Sequence, residues 1–219
     1  YKEIHNDMVR YGNLYPKIVT TNNIELSHVN ASRNKGFYHE VQEVNSNLKY
    51  YVNDLQQMLI DKTYVPSPYT RFIKTEGRKE REIFKSPYYP DRMVQWAGLQ
   101  VIGPIITKQF TNDTYSAIPG RGIHSCIQSI QQALANDPYG TTYCLQCDVK
   151  KYYPSINRDI LMNQYEHIFK DPDVLWLISQ IIYNADGERG IPIGNYFSQY
   201  SGNYHLSAFD HWLKEVKGV

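Results

Sequence analysis

The sequence predicts an α+β fold that is rich in helices and contains a basic β-hairpin. Apolar residues recur at three- and four-residue steps in several segments, which is the pattern of amphipathic helices. Two strand-like segments adjoin between residues 69 and 86, and a single strand-like segment ends at Asp148. This order lacks the regular alternation of a doubly wound sheet, and neither G-x-G-x-x-G nor G-x-x-x-x-G-K-[ST] occurs.

The composition is that of a globular protein with a substantial core, since 42% of its 219 residues are apolar. The 23 basic and 22 acidic residues nearly cancel, so a nucleic-acid-binding surface would have to gather positive charge on one face. Three cysteines argue against a disulfide framework. No apolar run approaches the roughly 20 residues of a membrane span, so we expect a cytoplasmic protein without a membrane partner.

The first predicted helix covers residues 40–61. Its apolar positions share one face: Val41, Val44, Leu48, Tyr51, Val52, Leu55 and Leu59. The prolines of segment 65–68 end this pattern, and residues 69–74 and 81–85 are predicted as two strands joined through Glu76-Gly77. The hairpin is basic, with Arg71, Lys74, Arg78, Lys79, Arg81 and Lys85.

Asp91 is predicted to cap a helix that Pro104 interrupts, because proline lacks the amide donor that a helix interior needs. A second short helix then reaches Phe110. After the turn at 119–122, a further amphipathic helix stops at Asn136-Asp137-Pro138.

A strand over residues 143–148 comes next. Asn157 is the predicted N-cap of a helix, and Asp171-Pro172 begins another that ends near Ala185. The first of these helices should bury Ile160, Leu161, Gln164, Tyr165, Ile168 and Phe169. Asp186-Gly187 is predicted as a turn, residues 190–193 as a short extended piece, and 196–216 as a terminal helix.

Asp148 lies at the end of the predicted strand, directly before a turn with two lysines and two tyrosines. A carboxylate there can bind a cation or hydrogen-bond the turn itself, and the residue alone leaves both open. Its surroundings, Asp148-Val149-Lys150-Lys151-Tyr152-Tyr153-Pro154-Ser155-Ile156, resemble the first palm motif of reverse transcriptases of the bacterial, group II intron-like kind. The resemblance implies that Asp148 and the backbone carbonyl of Val149 bind Mg²⁺, with two ions in the complete enzyme.

Tyr153 matches the aromatic residue that, in this family, stacks under the incoming sugar and excludes a ribose 2′-hydroxyl. A DNA product is implied. Core packing is the alternative for Tyr152 and Tyr153, and we expect one of them to do only that.

The basic hairpin resembles the fingers hairpin of the same family, where Lys and Arg bind the nucleotide triphosphate. The resemblance implies this role for Arg78, Lys79 and Arg81 and leaves open which of them performs it. A charged run taken alone is more often a solvated face. Asp91-Arg92-Met93-Val94-Gln95 and Pro119-Gly120-Arg121-Gly122 also resemble family blocks, which implies template contacts for Arg92 and Arg121.

Residues 190–199 resemble the second palm motif. Here Gly194 would let the backbone pass close to the nascent base pair, and Ser198 and Gln199 would lie near nucleic acid. The variant I-G-x-x-x-S-Q, beginning at Ile193, is similar to that of diversity-generating retroelements, whose enzymes copy with errors opposite template adenines. An isoleucine can only pack where a glutamine could hydrogen-bond the nucleotide. Ile193 as one more apolar residue is the alternative.

The resemblance divides the chain into an N-terminal extension of unclear role (1–39), fingers (40–139, with the hairpin at 69–86) and a partial palm with a helical insertion (140–219). The implied activity is RNA-templated DNA synthesis with an RNA template, a DNA primer, deoxynucleoside triphosphates and an accessory protein as partners. Tyr-x-Asp-Asp, the third palm motif, and the thumb do not occur in the 219 residues, so the chain is expected to be inactive alone. The alternatives are a group II intron or phage-defence reverse transcriptase, and a polymerase-derived nucleic-acid-binding scaffold without catalysis.

Overall fold

A computed structural model describes residues 10–77, 79–185 and 187–218. Its α-helices are Tyr15–Ile18 (α1), Thr21–Ser32 (α2), His39–Ser46 (α3), Leu48–Ile60 (α4), Met93–Thr107 (α5), Ile123–Asn136 (α6), Tyr152–Ser155 (α7), Arg158–Ile168 (α8), Pro172–Tyr183 (α9) and Tyr196–His211 (α10). Strands Thr70–Glu76 (β1) and Lys79–Lys85 (β2) form an antiparallel hairpin, and short π-type segments precede α5 and follow α10. This arrangement is compatible with the predicted α+β class, and none of the described helices is long and apolar enough to cross a membrane.

Helix α5 lies at the centre of the fold, between α2 and α10. The prediction that Pro104 interrupts it was wrong, because α5 continues to Thr107. The neighbouring Ile102, Ile105 and Ile106 are all buried in the core. Their burial offsets the roughly 3 kcal/mol that a proline costs inside a helix.

The N-terminal segment is part of the same core. Leu14, Tyr15, Ile18, Ile24 and Ala31 are buried in one cluster with the apolar residues of α5. A parallel bridge between Tyr11 and Phe169 further attaches the start of the described chain to the end of α8. Residues 10–32 therefore help to build the core of the described chain, whereas residues 1–9 lie outside the described residues.

The predicted helix over residues 40–61 is two helices. Asn47, with φ −146° and ψ 53°, separates α3 from α4, which the apolar periodicity could not reveal because it continues across the break. The predicted buried face is nevertheless confirmed, since Val41, Val44, Val52, Leu55 and Leu59 are buried.

Two predicted helix caps are confirmed and one is wrong. The Asn157 side chain accepts hydrogen bonds from the amides of Asp159 and Ile160, and Asp171 caps α9 in the same way. Asp91 is not a cap, because the chain is already helical at Arg92 before α5 begins. Its buried carboxylate instead accepts hydrogen bonds from the Tyr64 hydroxyl (2.8 Å) and the Ser67 amide (3.0 Å).

The predicted strand over residues 143–148 is not formed, and the described residues contain no sheet beyond the β1–β2 hairpin. A strand needs a hydrogen-bonding neighbour, and none of the described segments lies beside this one. The preceding helix α6 forms as predicted but buries none of its residues. Its apolar stripe is exposed: Ile123, Ile127, Ile130 and Leu134.

Asp171 joins the N-terminal segment to α9. One carboxylate oxygen accepts hydrogen bonds from the amides of Leu14 (2.7 Å) and Tyr15 (3.1 Å), and the other from those of Asp173 (3.1 Å) and Val174 (3.3 Å). Burial opposes ionisation of Asp171, but these four donors outweigh it and lower its pKa below the ordinary value of 3.8.

Asp171→Asn is expected to lower the free energy of unfolding at pH 7 by about 1.5 kcal/mol, because one oxygen and the negative charge are lost. The pKa of Asp171 is lower in the folded state than in the unfolded state, where it is about 3.8. The carboxylate therefore stabilises the fold at pH values above the unfolded pKa, and this stabilisation is lost as the pH falls through the folded pKa. Urea unfolding measures the free energy of unfolding of the unmodified chain and of Asp171→Asn. The difference between the two should therefore be larger at pH 7 than at pH 3. Asp61→Asn, at an exposed carboxylate, is the control; an equal loss in the control would contradict the prediction.

Candidate nucleotide-binding site

The hairpin, the turn after Asp148, Ala185 and residues 189–193 line a cavity of about 550 Å³. Three of the residues predicted to bind nucleotide line it: Arg81 from β2, Tyr153 from α7 and Ile193. These residues come from three separate motifs, which the tertiary structure brings to one place.

Gly194 allows the second-motif segment to lie against β2. The Phe84 amide donates to the Ile193 carbonyl (2.9 Å), and Gly194 has a left-handed φ of +113°. A Cβ on Gly194 would lie 3.0 Å from Ile83 Cγ2 and 3.1 Å from the Phe84 carbonyl oxygen. The glycine is thus required by a contact within the chain, and its predicted approach to a base pair stays a prediction.

The first and second motifs are joined through their backbones. The Gly190 amide donates to the Ile156 carbonyl (2.8 Å), and the Ile191 amide to the Tyr153 carbonyl (3.1 Å). Gly190, at φ +89°, packs so closely on Pro154 that a Cβ there would lie 2.9 Å from the Pro154 carbonyl oxygen. The wall of the cavity formed by these two segments is therefore a single hydrogen-bonded unit.

Arg158, the first residue of α8, stabilises this unit through hydrogen bonds, and sequence reasoning missed it. Its side chain is buried and donates to the carbonyls of Gly190 (2.6 Å), Gly187 (2.8 Å) and Arg189 (3.0 Å). A signal was available, because a cation in the first turn of a helix is unfavourable to the helix dipole and therefore implies another role. Arg158 is a positioning residue for the loop that carries Ile193.

The cavity is rich in positive charge. Four basic side chains line it, Arg71, Arg81, Lys151 and Arg189, together with Glu80 and Glu82. The Arg71 guanidinium lies 3.6 Å from the Glu82 carboxylate and 5.1 Å from the centre of the Phe84 ring. Lys151 and Arg189 were not among the predicted site residues. The four basic side chains together can bind phosphate oxygens by charge-assisted hydrogen bonds.

Tyr152 and Tyr153 both line the cavity and both pack against α10. The Tyr152 hydroxyl donates to the Gly202 carbonyl (2.7 Å), and a Cβ on Gly202 would lie 3.2 Å from the Tyr153 hydroxyl oxygen. Burial raises the pKa of both phenols, so both are neutral at physiological pH. The stacking of Tyr153 under a sugar stays a prediction.

Asp148 and Val149 lie apart from this cavity, in the exposed segment that follows α6. Among the described residues, no group of three or more His, Cys, Asp and Glu side chains could hold a metal ion. A single exposed carboxylate does not make a magnesium site, so Asp148 and the Val149 carbonyl stay predicted ligands.

The other predicted residues that the structure describes do not line this cavity. Arg92 and Gln199 line an adjoining cavity with Gly194, and Ser198 is buried beside them in α10. Arg121 uses one guanidinium nitrogen to bind the Thr111 carbonyl (2.9 Å), so it organises its own loop whether or not it contacts a template. Arg78 and the Lys79 side chain lie outside the described residues.

No protein-family model matches the chain. It is similar to nuclear intron maturase 1, mitochondrial, of Arabidopsis thaliana, with 28% identity over 130 residues, which are 56% of this chain and 18% of the plant protein. It is also similar to protein YkfC of Escherichia coli K12, with 25% identity over 173 residues, 74% of this chain and 45% of that protein. The chain therefore spans less than half the length of each of these curated relatives, and the similarity is a distant link to an intron maturase.

Proposed function

We propose that the chain is the fingers and part of the palm of a reverse transcriptase that copies RNA into DNA. The observation that carries the proposal is the basic cavity that unites Arg81, Tyr153 and Ile193 from three separate motifs. The distant similarity to a plant intron maturase supports a general relationship to reverse transcriptases.

In this proposal the cavity binds the incoming deoxynucleoside triphosphate. Arg81, assisted by Lys151 and Arg189, would bind the phosphates, because guanidinium and ammonium groups pair with phosphate oxygens. Tyr153 would pack under the sugar and Ile193 beside the base. Asp148 and the Val149 carbonyl are proposed ligands of magnesium, which would neutralise phosphate charge when bound.

The test is primer extension on an RNA template by the full-length gene product, with deoxynucleoside triphosphates and Mg²⁺. A DNA product is expected, and none is expected from the 219 residues alone, which contain no Asp-Asp pair. Arg81→Gln should raise the KM for the nucleotide, whereas Lys49→Gln, at an exposed lysine of α4, should not. RNA binding without extension would instead favour a nucleic-acid-binding scaffold.

The identity of residue 193 should affect copying fidelity. We propose that Ile193, which lines the cavity, replaces a hydrogen bond to the nucleotide by packing alone, as in the error-prone enzymes of diversity-generating retroelements. Ile193→Gln in the full-length protein should lower misincorporation opposite template adenines about five- to tenfold, the effect of one added hydrogen bond. Sequencing of the DNA products measures this. Ile193→Leu is the control, and an unchanged error spectrum in Ile193→Gln would refute the proposal.

A further inference from the structure

The segment between α6 and α7 contains a Cys-x-x-Cys motif, Cys144 and Cys147, to which the proposed function assigns no role. Both cysteines are free and both are exposed. Their neighbours Tyr143 and Leu145 are 93% and 83% exposed, so no described part of the fold covers the motif. Two exposed thiols that lie three positions apart are accessible to a small oxidant.

The backbone of this segment is not held in an extended conformation. Residues 143–149 make no backbone hydrogen bond with any residue that the structure describes, and they belong to none of its described strands. A turn precedes them, in which the Thr142 amide donates to the Tyr139 carbonyl (3.3 Å). Lys151 follows with a left-handed φ of +51°. The segment between these two points can therefore bend without breaking a described backbone hydrogen bond.

A disulfide within this motif and a β-strand over the same residues exclude each other. A disulfide holds its two Cα atoms about 4.4–6.8 Å apart. A strand advances about 3.3 Å per residue, so it would place the Cα atoms of Cys144 and Cys147 about 10 Å apart and point their side chains to opposite faces. Because the strand predicted over residues 143–148 is not formed, the structure does not impose this separation.

We propose that Cys144 and Cys147 are a reversible modification site, at which a low-molecular-weight disulfide such as glutathione disulfide converts the two thiols into one intramolecular disulfide. The second thiol lies in the same short segment as the first, so its effective concentration is on the order of millimolar. Ring closure is therefore favoured over reaction with a second molecule of oxidant. Cys126, the third cysteine, lies in α6 and is partly buried, so it is not part of this site.

The exchange takes two steps and needs no further reactant. The sulfur of one cysteine attacks the S–S bond of the oxidant and forms a mixed disulfide, while its proton passes to the half of the oxidant that leaves as a thiol. The sulfur of the other cysteine then attacks the protein sulfur of the mixed disulfide, and its proton passes to the second half of the oxidant as that half leaves. The two protein thiols lose two electrons, and the oxidant is reduced to two thiols.

The disulfide would prevent the strand that the sequence predicts directly before Asp148. With the Cα atoms of Cys144 and Cys147 held close together, residues 143–148 cannot pair as a strand. This consequence rests on the proposed function, in which Asp148 binds magnesium and has to be held in one place. Oxidation of the motif would then switch primer extension off, and a reductant would restore it.

The 219-residue chain, incubated in glutathione buffers of increasing oxidising strength, tests the modification site. Alkylation of the remaining thiols followed by mass spectrometry should show the loss of two of the three thiols, no bound glutathione, and a bond between Cys144 and Cys147 in the peptide map. Cys144→Ser should instead retain one glutathione at Cys147, because no second thiol resolves the mixed disulfide. Cys126→Ser is the matched control and should form the same disulfide as the unmodified chain.

A second measurement tests the consequence for activity. Oxidation of the full-length gene product should slow RNA-templated primer extension at least about tenfold, because misplacement of a reacting group by a small distance costs rate. Reduction should restore the rate. The double variant Cys144→Ser/Cys147→Ser should extend primers at the same rate after either treatment.

Other results would overturn the assignment. If all three thiols survive in the most oxidising buffer, or if both cysteines only carry glutathione, the motif is not a disulfide site. Loss of the helical circular dichroism signal on oxidation would show that only unfolded chains react. If the disulfide does not form in the full-length protein, or forms without slowing extension, the switch is refuted. Absence of extension by the reduced full-length protein contradicts the proposed function instead, and mass spectrometry still decides the modification site.

Discussion

Replacing Arg158 with methionine is expected to lower the free energy of unfolding by about 3 kcal/mol or more. The substitution keeps most of the side-chain length but removes the donors that bind the carbonyls of Gly187, Arg189 and Gly190. Hydrogen bonds to charged groups contribute about 1.5–3 kcal/mol each, and a buried carbonyl left without a donor costs about 1–3 kcal/mol. Urea unfolding monitored by circular dichroism measures the loss.

The same variant should loosen the wall of the candidate nucleotide site. Hydrogen exchange is expected to accelerate at the amides of Gly190 and Ile191, which bond the first motif to the second. Arg189→Met is the matched control, since it removes an exposed arginine side chain from the same loop and should cost less than about 0.5 kcal/mol. Equal losses in the two variants would show that burial of the Arg158 side chain has no special importance.

Replacing Asp148 with asparagine is expected to abolish RNA-templated extension by the full-length protein. An amide has nearly the shape of the carboxylate but lacks its negative charge, and the charge is what a divalent cation requires. Loss of several kcal/mol of charge stabilisation corresponds to at least about a thousandfold in rate. Single-turnover primer extension measures the effect.

The Asp148 variant should retain the fold and RNA affinity. Asp148 lies in an exposed segment outside the core, so RNA binding is expected to change by less than about twofold. Asp137→Asn, at another exposed aspartate of the same region, should extend primers normally. Primer extension by the Asp148 variant at the normal rate would show that Asp148 has only a structural role in the turn.

Local features of the fold could be predicted from the sequence. The caps at Asn157 and Asp171 and the β1–β2 hairpin depend on residues that are neighbours in the chain, so their chemistry is visible without a structure. Features that depend on contacts between residues far apart in the chain were predicted less accurately. Pro104 is tolerated because most of α5 is buried, and the strand expected over residues 143–148 has no neighbour among the described segments.

The candidate site likewise combines residues that the sequence predicts with residues that only the tertiary structure identifies. Motif resemblance selected Arg81, Tyr153 and Ile193 individually, whereas the contributions of Lys151 and Arg189 follow from the course of the chain around the cavity. Gly194 illustrates the difference, since its motif implies a nucleic-acid contact but the structure shows that β2 already occupies the space beside it.

The sequence by itself determined the caps at Asn157 and Asp171, the basic hairpin and the residue types of the motifs, because these are properties of adjacent residues. Only the tertiary structure decided that Arg158 holds the motif loop, that Lys35 and Arg92 line one cavity, and that α6 and Asp148 are exposed. The physical reason is that burial, hydrogen-bond partnership and charge clustering belong to pairs of residues far apart in the chain. Their proximity exists only once the core around α5 has formed.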